Sequence, residues 1–83
     1  MWYTLFTEVD GKNWIKRVFL PIVPMKGDTI WGDEKMPYFS WVVQERMFNF
    51  IDDEIVVDVE CDECQHVKAQ DMIDGGWGIY RPI

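Results

Sequence analysis

Hydrophobic and polar positions alternate most cleanly over residues 55–61, Ile-Val-Val-Asp-Val-Glu-Cys, where Val57, Val59 and Cys61 fall on one side and Asp58 and Glu60 on the other. A period of two marks a strand with one buried face. Residues 2–9, Trp-Tyr-Thr-Leu-Phe-Thr-Glu-Val, are rich in β-branched and aromatic side chains and read as another strand. Asp10-Gly11-Lys12-Asn13 is a turn signal, with Gly11 able to take a positive φ, and residues 14–22 form the second arm of a hairpin. Pro21 has no N–H to give to a ladder, so this arm ends there or runs along an edge. A loop at 24–28 leads to a short strand at 29–31 and then to a turn at 32–37.

Two periods compete over residues 38–50. Val43, Met47, Phe50 and Ile51 would share one face of a helix, yet Tyr38, Phe39, Trp41, Val42 and Val43 favour a strand and no N-capping residue precedes them. The segment is therefore expected to be a long strand broken by a bulge near residues 44–46. Residues 51–54 turn the chain. Residues 67–74 suit one or two helical turns stopped by Gly75-Gly76, and the chain over residues 77–83 is expected to be extended and to close the sheet. The expected fold is all-β with one short helix near residues 67–74: a single domain over residues 1–83, built as a small curved antiparallel sheet or a barrel of about five strands.

The run Val18-Phe-Leu-Pro-Ile-Val-Pro-Met-Lys-Gly-Asp-Thr-Ile30, followed by Tyr38 through Val43, resembles small bacterial and phage proteins with an SH3-like barrel. In those proteins an apolar strand meets a Pro-x-x-Gly-Asp-x-Ile elbow, which here is Pro24, Gly27, Asp28 and Ile30, and then an aromatic-Val strand. The resemblance covers about residues 15–60 and implies an SH3-like barrel. Its bearers share no one activity, so it implies no function. The acidic second half and the tail after Cys61 depart from the pattern.

Charge adds an asymmetry. The net charge is −7, but residues 1–42 carry five basic and five acidic side chains, whereas residues 43–83 carry three basic and ten acidic. Residues 45–63 alone hold eight acids against Arg46. A nucleic-acid backbone or an anionic membrane needs concentrated Lys and Arg, so direct binding to either is not expected. A basic protein surface is the expected partner. Asp58, Glu60 and Asp62 alternate along one strand face about 6.6–6.8 Å apart, and Asp52, Asp53 and Glu54 stand in the turn before it. Phosphates rise 3.4 Å each along one DNA strand, so the row spans two rises per step and could imitate a nucleic-acid backbone. The plainer reading is a charged sheet edge that resists aggregation.

Five Trp, five Phe and three Tyr are many rings for one small core. Core filling is the plainer reading for any single one, while together Trp31, Trp41 and Trp77 are candidates for a partner surface or a homodimer interface. Cys61-Asp-Glu-Cys64-Gln-His66 has metal-ligand spacing, and Cys61, Cys64 and His66 could supply three ligands to Zn²⁺. A fourth ligand and the small residues that usually follow a zinc-binding Cys pair are missing, so no cofactor is expected and a zinc-stapled domain is the alternative. Asp62 and Glu63 between the thiols oppose the lowered thiol pKa that redox catalysis requires.

No stretch approaches the ~20 apolar residues of a membrane span, and residues 1–5 lack the form of a signal peptide. A cytoplasmic location follows as an expectation. No nucleophile, base and orienting residue fall into a catalytic pattern around His66, the single histidine. The sequence thus points to a non-enzymatic acidic interaction module that binds a basic macromolecular surface, as a phage-type inhibitor or nucleic-acid mimic. The alternatives are the zinc-stapled domain and an aromatic-mediated homo-oligomer.

Overall fold

A computed structural model describes residues 1–19, 21–31, 35, 39–61 and 67–81. The chain is mostly β: β1 (Trp2–Val9), β2 (Lys12–Phe19), β3 (Thr29–Trp31), β4 (Ser40–Asn49), β5 (Glu54–Cys61), a helix α1 (Ala69–Asp74) and β6 (Gly78–Ile79). The turn at residues 32–37, Tyr38 and the last two residues lie outside the described residues, apart from Lys35.

The first hairpin is tighter than the turn signal suggested. Val9 pairs with Lys12, so Asp10 and Gly11 alone make the turn, with φ of 54° and 72°. Two central residues at positive φ match the right-handed twist of the flanking strands, which is why Asp-Gly suits this position. Lys12 and Asn13 accordingly belong to β2, and β2 stops at Phe19 rather than at residue 22.

The six strands form one open sheet in the order β3-β4-β5-β1-β2-β6. β1 and β5 run parallel, with Thr4, Leu5 and Phe6 opposite Val56, Val57 and Asp58. This corrects the expected antiparallel sheet. Each of the four connections from β1 to β5 reverses the chain, so setting β5 beside β1 leaves the two strands pointing the same way. Among the described residues the count is six strands, and β3 and β6 are the edges.

The sheet is curled. Gln44 is the extra residue of a bulge, because Val43 pairs with Val59 and Glu45 with Asp58. A bulge bends and twists its strand. The elbow at residues 24–28 is pinned just before it: Gly27 N–H donates to Val43 O and Val43 N–H to Asp28 O, both at 2.8 Å. Asp28 also accepts the Met25 N–H, and Gly27 sits at φ 92°, a conformation other residues rarely adopt. As a result Ile30 and Trp31 of β3 border one cavity with Val18 and Phe19 of β2, which lies four strands away in the sheet.

The concave face holds the core: Tyr3, Leu5, Trp14, Trp41, Val43, Val57, Val59 and Cys61, with Val67, Met72 and Trp77 packed over them. Only six residues long, α1 could not persist alone. It is tied at both ends: the Asp10 carboxylate accepts the Ala69 N–H at 2.7 Å, and Lys16 Nζ donates to Gly75 O at 2.9 Å. Its exit is a Schellman turn, with Trp77 N–H on Met72 O, Gly76 N–H on Ile73 O, and Gly76 at φ 87°. Val57 is wholly buried in the central strand, so Val57→Ala should cost about 1–3 kcal/mol in urea unfolding. A smaller loss would put the core on the other face of β5.

Candidate functional site

Among the described residues, no helix covers the convex face of the sheet. Along β5 it presents Glu54, Val56, Asp58 and Glu60, while Val57, Val59 and Cys61 turn inward. The β4 register sets Glu45 opposite Asp58 and Val42 opposite Glu60. The sequence alone gave Glu45 no special place. Only the bulge at Gln44 brings it onto this face, because one extra residue reverses the direction of every side chain that follows.

Glu45, Asp58 and Glu60 thus gather like charges in one patch. Asp58 is partly buried, and desolvation, followed by repulsion from Glu45 and Glu60, raises its carboxyl above the ordinary 3.8. Lys26 and Arg46 border the same shallow cavity as Glu45 and Asp58, and the Arg46 guanidinium lies 5.4 Å from the centre of the Phe48 ring.

A raised carboxylate pKa means that the folded state holds the proton more tightly than the unfolded state does. Stability linked to Asp58 is therefore full below pH 3.8 and falls as pH rises through the raised folded value. Asp58→Asn should unfold at higher denaturant than the parent at neutral pH, with the gain fading below pH 3.8. A pH-independent difference would mean that the carboxylate charge is not the source.

At the other end of β5, Asp52 and Glu54 border a cavity of about 430 Å³ floored by Phe6, Ile15, Val56 and Tyr80. Phe6 and Tyr80 meet edge to face with centroids 5.7 Å apart. Thr4 Oγ1 donates to Glu54 Oε1, and Asn49 Nδ2 donates to Asp52 Oδ2 at 3.0 Å, so both carboxylates are held in place. The Asn49 side chain also accepts the N–H groups of Ile51 and Asp52, which fixes the hairpin tip together with Asp53 at φ 52°. That tip holds Phe50 and Ile51 out at 91% and 94% exposure.

The acidic residues expected on a sheet edge lie elsewhere. β5 has β4 on one side and β1 on the other, so Glu54, Asp58 and Glu60 stand on an open face, and Asp52 and Asp53 stand in the hairpin turn. The anti-aggregation reading loses its basis, since these strand groups are already paired. Asp62 lies outside the described residues, as do Cys64 and His66. Cys61 is buried at the end of β5 opposite Trp41. Among the described residues no group of three or more His, Cys, Asp or Glu could hold a metal ion.

Of the three tryptophans expected at a partner surface, Trp31 is 77% exposed. Trp41 and Trp77 are instead core residues, their rings 5.1 Å apart. They bury each other because the curl brings the start of β4 against the segment leading into β6. Besides Trp31, the exposed rings among the described residues are Trp2, Phe19, Phe48, Phe50 and Tyr80. The signal for Phe50 and Ile51 was their place between Asn49 and Asp52-Asp53, apolar residues in a polar turn.

No protein-family model, curated protein or solved structure matches this chain. Its function must be read from the site. Among the described residues no helix is long and apolar enough to cross a membrane.

Proposed function

We propose that this protein is a non-enzymatic interaction module that docks on a basic macromolecular surface through the convex face of β4 and β5. The observation that carries the reading is the gathering of Glu45, Asp58 and Glu60 on an open face, where desolvation first and then repulsion from Glu45 and Glu60 raise the Asp58 carboxyl. Folding gains nothing from such a cluster, and a cationic partner would relieve it. The neighbouring cavity suits a lysine or arginine side chain of that partner, its stem along Phe6 and Tyr80 and its charge toward Asp52 and Glu54.

The SH3-like resemblance belongs to the same reading, supported by the pinned elbow and the curled sheet. The acidic face, rather than the resemblance, suggests the role of a small phage-type inhibitor acting in the cytoplasm. Among basic surfaces, those shaped for nucleic acid fit the alternating carboxylates of Asp58 and Glu60 best. The test is binding of a lysine-rich peptide to the parent and to the triple variant Glu45→Gln, Asp58→Asn, Glu60→Gln. Loss of binding in the variant supports the reading, and equal binding refutes it.

A further inference from the structure

β2 is covered on its outer side over only part of its length. β6 pairs with Trp14 and Ile15, and the Tyr80 N–H reaches Asn13 O at 2.9 Å. Backbone groups of alternate residues point to the same side of a strand, so Arg17 and Phe19 turn their N–H and C=O outward as Asn13 and Ile15 do. Gly76 would stand opposite Arg17 in this register, but its N–H is given to Ile73 O in the turn that ends α1. Among the described residues no backbone bond reaches Arg17 or Phe19 from this side. Beside this free edge opens a cavity of about 450 Å³, walled by Trp2, Val18, Phe19, Ile30, Trp31 and Trp41 among others. Ile30 and Trp31 belong to β3, the opposite edge of the sheet.

A row of unpaired backbone donors and acceptors is matched by another extended chain. Charge narrows the choice of chain. β2 carries Lys12, Lys16 and Arg17 and no acid. Arg17 is exposed and is the one charged residue among the described lining of the cavity. A second copy of this protein fits poorly, since pairing this short edge with itself would bring Arg17 close to Arg17.

We propose that the free edge of β2 at residues 17–19 takes up an extended segment of a partner protein as an added strand, with an acidic residue beside Arg17 and a large apolar residue on each side of it. Successive side chains of a strand point to opposite faces. The acid therefore shares the face of Arg17, while its two neighbours point to the face of Val18, toward the ring-walled cavity. This site is separate from the acidic face of β4 and β5 and does not depend on it.

The probe is the capped peptide Thr-Phe-Glu-Phe-Thr, titrated into the labelled protein and followed by backbone NMR. Shifts should centre on residues 17–19 and 29–31. The same peptide with Lys in place of Glu should bind at least about threefold more weakly, the ordinary worth of exchanging an opposite-charge cross-strand pair for a like-charge one. Arg17→Gln should remove that preference. N-methylation of the peptide backbone at the two Phe and the Glu should weaken binding at least about fivefold, because it deletes the donors that pair with the edge. Replacing both Phe by Ala should abolish binding. No detectable binding, equal binding of the N-methylated peptide, no preference for Glu over Lys, or shifts centred on β4 and β5 would each overturn the proposal. So would self-association of the free protein through residues 17–19, which would make a second copy the occupant, or binding of N-acetylphenylalanine amide as tight as that of the peptide, which would make the cavity a small-molecule site.

Discussion

Trp14→Ala should bring the protein close to unfolding at room temperature. Trp14 is almost wholly buried, pairs with Thr7 of β1 and Ile79 of β6, and donates its indole N–H to Val9 O at 3.1 Å. Its backbone sits between β1 and β6, and its side chain fills the core and ties β2 back to the end of β1. Truncating a buried tryptophan costs about 3–5 kcal/mol. An 83-residue domain has roughly 4–12 kcal/mol in total at 0.05–0.15 kcal/mol per residue. Urea unfolding at 25 °C should show the loss, and Trp14→Phe should recover part of it by refilling the space without the hydrogen bond. A midpoint near that of the parent for Trp14→Ala would mean that the core is centred elsewhere.

The triple variant Glu45→Gln, Asp58→Asn, Glu60→Gln should have the opposite profile. Its stability should stay level or rise, because the change removes repulsion from an uncovered face and leaves every sheet hydrogen bond in place. Its affinity for a lysine-rich peptide should fall on the order of ten- to a hundredfold. Three exposed ion pairs at about 0.5–1 kcal/mol each account for that range. Most of the loss should be in association rate, which is where surface charge acts. Calorimetry and stopped-flow mixing separate the two quantities. Lower stability together with unchanged affinity would mean that these carboxylates serve the fold.

Local features of the fold were legible where neighbouring residues determine them. The alternation of Val57, Val59 and Cys61 identified the buried side of β5, Asp10-Gly11 announced the hairpin, and Gly75-Gly76 marked the end of α1. The bulge near Gln44 was readable because a strand-forming opening met a polar, non-alternating stretch. What sequence could not show was which distant strands meet. The parallel pairing of β1 with β5 rests on residues some fifty positions apart, such as Thr4 and Glu54, and no periodicity encodes that choice. The same gap explains the functional corrections. The acids of β5 were expected on an edge because strand order was unknown, and Trp41 and Trp77 stayed candidates for a partner surface beside their core reading because their mutual burial depends on the curl.

The central claim, that the convex face of β4 and β5 recognises positive charge, is tested most directly by titrating a lysine-rich peptide into the isotopically labelled protein and following its backbone amides by NMR. The account predicts shifts concentrated at Glu45, Glu54, Asp58 and Glu60 and at the hairpin tip. These shifts should collapse when salt is raised to 1 M, where the Debye length falls to about 3 Å. Shifts that centre on the concave face or on α1, or that survive 1 M salt undiminished, would contradict it.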